Sequence, residues 1–170
     1  RDSVYTINNA GQLFWFSSLV NGDHSYADFD KQNAGANAEL AANIDLENKE
    51  WAPVNNYKGN FNGKGHSILN LNISKASDYT GLFGSVNEGS VSDITVYGDI
   101  TVKNSASHIG GVVGYINLGS VKNVVSYVNI NNDKYGSQVT HAGGIIGSVG
   151  NDKTDIEKCM YYGNIHLNNS

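Results

Sequence analysis

The chain is 170 residues long with a net charge of -5 and a pI near 5.4, and its 11 basic residues are scattered. That balance excludes the clustered Lys and Arg that phosphate contacts need, so nucleic acid is not an expected partner. No apolar run approaches the roughly 20 residues of a membrane span, so no membrane insertion is expected. One cysteine, Cys159, excludes an intramolecular disulfide. Ten Tyr and only 16% charged residues are the composition of a folded chain rather than a disordered one.

In chain order, Val4-Tyr5-Thr6-Ile7 predicts a short strand. Asn8 or Asn9 then caps a helix over residues 10–20, with Leu13, Phe16 and Val20 at helical spacing and Asn21-Gly22 as its stop. From residue 38 the chain reads as strands. Ile44-Asp45-Leu46 alternates, Trp51-Ala52-Pro53 breaks the pattern, and Phe61-Asn62-Gly63-Lys64-Gly65 makes a turn. The stretch from His66 to Ile73 alternates again, with apolar residues on one face and amides on the other.

A repeat then takes over. Gly81-Leu82-Phe83-Gly84, Gly111-Val112-Val113-Gly114 and Gly144-Ile145-Ile146-Gly147 are heads spaced by 30 and 33 residues. Their tails begin at Val91, Val121 and Ile156 and run on to Ile100, Ile130 and Ile165. The third copy places its two extra head-to-tail residues in Gly150-Asn151-Asp152-Lys153, a natural protruding loop. A period of this length means units that bury their apolar faces only against neighbouring units. The residues are strongly β-branched, no Leu-x-x-Leu-x-Leu run occurs, and a propeller blade needs a longer repeat, which leaves the parallel β-helix. The expected fold is therefore all-β: a parallel β-helix of about five coils over residues 38–170, with residues 1–37 as a capping segment bearing the helix. Its expected inward ladder is Ile44, Leu71, Ile94, Val124 and Cys159, one rung per coil.

Gly81-Leu82-Phe83-Gly84 followed by Gly89-Ser90-Val91-Ser92-Asp93 resembles the GLUG repeat of bacterial surface proteins and of immunoglobulin A1 protease-like proteins. The stretch from Asn43 through Trp51-Ala52-Pro53-Val54 to Ile68 is similar to the coil that often precedes such repeats, so the likeness covers about residues 38–170. The family pattern commonly has Cys-Tyr in the tail. Here only Cys159 keeps the cysteine, and Ile94 and Val124 replace it. The resemblance implies a secreted or cell-wall-attached bacterial protein. The opening at Arg1-Asp2 and the close at Leu167-Asn168-Asn169-Ser170 read as the ends of a piece cut from a longer chain.

Candidate chemistry is sparse. The five histidines lack the His-Glu-x-x-His spacing of a zinc protease. His108 and His141, each just before a Gly-Gly pair, are expected to stack in adjacent coils as solvent-facing turn residues, since a stable metal site needs three or four ligands. Asp28, Asp30 and Glu39 echo the oxygen spacing of a calcium loop, but Asn33 stands where the sharp turn requires Gly. Asp45, Asp93 and Asp99 are the candidates for a glycosidase carboxylate pair. The repeats replace Asp93 by Asn123 and Lys158, and Asp99 by Asn129 and Asn164, which reads as turn and ladder chemistry. No catalytic residue and no cofactor is expected.

Tyr97, Tyr127 and Tyr162 align across the three repeats and, by alternation, face outward. Such a ladder offers aromatic area and hydroxyls to a ligand, or it stabilises neighbouring coils by stacking. The expected function is a non-catalytic extracellular module for adhesion, with a host glycoprotein or glycan as partner. The rival readings are a substrate-positioning domain of a secreted hydrolase, such as an immunoglobulin-cleaving protease, and a passive spacer.

Overall fold

A computed structural model of the chain describes residues 3–24, 31–132 and 138–168. It is a β-solenoid of about four turns, against the five coils expected, built from parallel sheets, with one helix among the described residues. The elements run β1 (Val4–Ile7), α1 (Ala10–Asn21), β2 (Asn37–Leu40), β3 (Ile44–Asp45), β4 (Asn60–Asn62) and β5 (Ser67–Ile73). The repeats supply β6 (Phe83–Asn87), β7 (Ser90–Val102), β8 (Ile109–Gly110), β9 (Val113–Asn117) and β10 (Ser120–Asn132). The last coil holds β11 (Ala142–Gly143), β12 (Ile146–Val149), β13 (Asp155–Glu157), β14 (Met160–Tyr161) and β15 (Ile165–His166).

The main sheet follows the order β1-β2-β4-β7-β10-β13, and a second sheet stacks β6, β9 and β12. Every pairing between these strands is parallel, as successive coils of one hand require. β1 lies on β2 from Val4↔Asn37 to Ile7↔Leu40, so the segment before residue 38 adds a strand to the sheet as well as the helix. Left-handed residues turn the corners at matching positions: Asp93, Asn123 and Lys158 have φ of 55°, 53° and 52°. Asp and Asn tolerate that conformation better than most side chains, which is why they recur there.

α1 starts and stops where its caps dictate. The Asn9 side chain accepts a hydrogen bond from the Gln12 amide, and Gly22 closes the helix in the left-handed conformation. Its buried face includes Leu13, Phe14, Phe16, Leu19 and Val20. Phe16 packs against the Tyr57 and Phe61 rings, and Phe14 packs against Trp51. The Ser17 hydroxyl and the Asn21 amide donate to the Ala52 and Pro53 carbonyls. The helix thus covers the first coils as the expected cap.

One continuous core runs through the coils. Its polar groups are satisfied: the Trp51 indole donates to the Leu82 carbonyl and the Tyr57 hydroxyl to the Ala36 carbonyl, each at 2.9 Å. The ladder of five rungs needs correction at its start. Ile94 pairs with Val124 as expected, and the pairing of Val125 with Met160 sets Cys159 opposite Val124. Ile44, however, pairs with Ile68, which continues to Val96, Ser126 and Tyr161. Leu71 pairs with Gly98 and belongs to a different column of the same core. The cause is a bulge in β5. The register slips between Ile68 and Leu71, where Asn70 adopts φ 56° and donates its amide to Asp45. The clean alternation from His66 to Ile73 breaks at that residue.

The last coil is thinner. The Gly150 to Lys153 stretch does form a turn, closed by the Thr154 amide on the Asn151 carbonyl. Tyr161 points inward, its ring against Gly144 and its hydroxyl on the Val128 carbonyl at 3.0 Å. β13, β14 and β15 pair only with β10 among the described strands.

Candidate functional site

The tyrosine ladder forms because three strands repeat in strict register. β10 lays Tyr127 directly on Tyr97 of β7, between inward-facing neighbours. Tyr162 follows β14, and its amide donates to the Ser126 carbonyl at 2.9 Å. The rings stack face to face. Tyr97 and Tyr127 have centroids 4.6 Å apart at 6°, and Tyr127 and Tyr162 lie 5.2 Å apart at 20°. All three are exposed, at 38%, 37% and 58%. The outward orientation is as expected from alternation. The stack takes up both faces of Tyr127 and one face each of Tyr97 and Tyr162, so a partner meets mainly ring edges and hydroxyls, of which the Tyr162 hydroxyl donates to the Met160 sulfur at 3.5 Å. Each stacked pair also ties adjacent coils together, worth about 0.5–1.5 kcal/mol beyond burial.

The carboxylates belong to side-chain ladders. Asp45 accepts from the Asn70 side chain and from the Glu47 amide, both at 2.8 Å. Those two bonds, the Asn70 bond first, hold its carboxyl below the usual range, which suits a cap and not a general acid. Asp93 accepts from Asn123 at 2.9 Å, and Asp99 accepts from Asn129 at 3.0 Å. Asn164 extends the second ladder by donating its backbone amide to Asn129. Asn and Asp are interchangeable at such positions, which explains their exchange between repeats.

Of the calcium-loop residues, Asp28 and Asp30 lie outside the described residues. Glu39 pairs with Lys64 of a neighbouring coil at 3.1 Å. His108 and His141 stack in adjacent coils as expected, 4.9 Å apart at 7°. Parallel imidazoles aim their in-plane lone pairs along parallel lines, so they do not converge on one ion at the 2.0–2.1 Å a zinc site uses. Among the described residues no group of three or more metal-ligating side chains occurs. Cys159 is half-buried, and burial pushes its thiol above the ordinary value, away from thiolate reactivity.

A second aromatic cluster sits at the corner leading into the β8-β11 pair, joined there by Tyr115 of β9, and was not anticipated in full. Tyr79 stacks on His108 at 4.9 Å and 7°, so the column reads Tyr79, His108, His141. Tyr115 presents its edge to Tyr79 and to His108 at 5.7 and 5.5 Å. Beside them the amides of Asn56, Asn87 and Asn117 form a further ladder: Asn117 donates to Asn87 at 3.1 Å and Asn87 to Asn56 at 3.5 Å. The Ser85/Tyr115/Ser148 column at the same distance after each repeat head was the available sequence signal.

No helix among the described residues is long and apolar enough to cross a membrane. No family model, curated protein or solved structure matches this chain.

Proposed function

We propose that this chain is a non-catalytic, extracellular β-helical module of a larger bacterial surface protein, serving adhesion to a host glycoprotein or glycan. The observation that carries the reading is the exposed Tyr97-Tyr127-Tyr162 stack. Tyrosine supplies large contact area at low entropic cost, and its hydroxyls add directional bonds, which makes it a recurrent anchor of binding surfaces. Because the ladder offers edges and hydroxyls, the polar surface of a glycoprotein suits it better than a sugar stacked on each ring. The GLUG-like heads support the surface-protein part of the reading.

The passive-spacer reading also has an observation in its favour, since the same stacking ties three coils together. One mutant separates the two. Tyr127 touches both other rings and is the centre of the patch. For a binding face, Tyr127→Ala weakens capture on an array of host glycoproteins and glycans by roughly 1 to 4 kcal/mol and leaves the fold intact. A clear fall in melting temperature with unchanged capture is the spacer's result and sinks the adhesion reading.

A further inference from the structure

The β6-β9-β12 sheet carries a notch that differs in kind from the tyrosine ladder. Ser85, Tyr115 and Ser148 occupy one outward column, paired through β6-β9 and β9-β12. Only the middle coil bears a large side chain there. The Tyr115 hydroxyl occupies the place where a Cβ on Gly150 would stand, so this ring reaches over the later coil through space that glycine leaves clear. The space over Ser85 stays open as a pocket of about 210 Å³ lined by Tyr79, Tyr115, Asn56, Asn87, Asn117, Ser85 and Val86.

The lining defines the ligand. It contains two tyrosine rings with their hydroxyls, three carboxamides, Val86 and the Ser85 hydroxyl, which accepts from the Asn56 backbone amide at 2.8 Å, and no charged side chain. One face of Tyr79 is covered by His108, and no ring stacks on the other among the described residues. Its π face is electron-rich and suits the weakly positive C–H face of a saturated ring. Carboxamides donate and accept, which matches hydroxyls that also do both. Pockets for drug-sized ligands run about 300–1,000 Å³, so this one takes a single ring. We propose that the notch over Ser85 binds one neutral pyranose residue, a terminal or branching sugar of a larger glycan, with Tyr79 and Tyr115 as walls and the Asn56-Asn87-Asn117 ladder as its hydrogen-bonding edge. The site lies on a different sheet from Tyr97, Tyr127 and Tyr162 and stands whether or not that ladder binds.

The test is a titration of the 170-residue chain with the methyl glycosides of glucose, galactose, mannose and N-acetylglucosamine, with sialic acid as the charged comparison, followed by amide NMR. Saturable shifts at the Asn56, Asn87 and Asn117 side-chain amides with at least one glycoside are expected. Ser85→Tyr puts a ring into the notch itself, because Asn117 stands in register with Gly150 and leaves it no room over the next coil, and should abolish them. Tyr79→Asn removes the wall but suits the left-handed corner, where Tyr79 has φ 59°; it should weaken binding about tenfold, the effect of roughly 1.4 kcal/mol. Tyr127→Ala should leave the shifts unchanged. The proposal is overturned if no glycoside gives saturable shifts, if they persist in Ser85→Tyr, if only sialic acid produces them, or if Tyr127→Ala removes them.

Discussion

The two ends of the solenoid are built from the same kinds of residue and have different neighbours. At the N-terminal end α1 lays Phe14 and Phe16 over Trp51, Tyr57 and Phe61, and all five rings are buried. At the other end Ile156 and Ile165 occupy the register positions of Val121 and Ile130. The inner pair is fully buried, whereas Ile156 and Ile165 are 44% and 40% exposed. Burial in this fold is therefore a property of having a coil on both sides, not of the residue type, as expected of a nearest-neighbour stack.

The largest effect should separate the inner coils from the last one. Val124→Asp places an unpaired carboxylate where nothing can hydrate it and should cost about 4 kcal/mol or more. Ile156→Asp in the exposed edge strand should cost about 1 kcal/mol or less. Denaturant melts of the two variants check this; equal losses would mean that the last coil is as tightly packed as the middle.

Phe16→Ala tests the covered end. It removes a ring that touches Tyr5, Tyr57 and Phe61, and should destabilise by about 3–5 kcal/mol. A loss under about 1 kcal/mol would show that the helix is dispensable to the core.

The smallest effect is pH-dependent. Burial raises the Tyr57 phenol well above its ordinary value near 10, and the half-buried Tyr161 is raised as well. In both cases the unfolded chain ionises first, so the stability is fully present below about pH 10 and falls as pH rises beyond it. Tyr57→Phe should flatten this alkaline loss more than Tyr161→Phe does, at a cost of about 1 kcal/mol at neutral pH for the bond to Ala36. Stability curves from pH 7 to 11 decide it, and a larger effect from Tyr161 would reverse the ranking of the two ends.

The repeats explain how much could be read in advance. Gly-apolar-apolar-Gly heads and their tails hold Val91 to Val121 and Ile94 to Val124 in register, so the fold, the cap and the Tyr97-Tyr127 stack follow from spacing. The first coils carry no such heads, and the Asn70 bulge depends on a bond to Asp45 in a neighbouring coil that local alternation cannot express. The Tyr79 stack was hidden for a related reason. Phe83 pairs with Val113 at an offset of 30, while Thr80 pairs with Ile109 at 29. Aligning the heads therefore sets Tyr79 against Ile109 instead of His108.

Backbone amide exchange, read strand by strand, tests the nearest-neighbour account most directly. β7 and β10 have partners on both sides, whereas β13, β14 and β15 have β10 alone among the described strands. The amides of β7 and β10 should exchange only through global unfolding, and those of residues 155–166 through a local opening at least about tenfold faster. Equal protection in all five strands, or a last coil that outlasts β7, would contradict it.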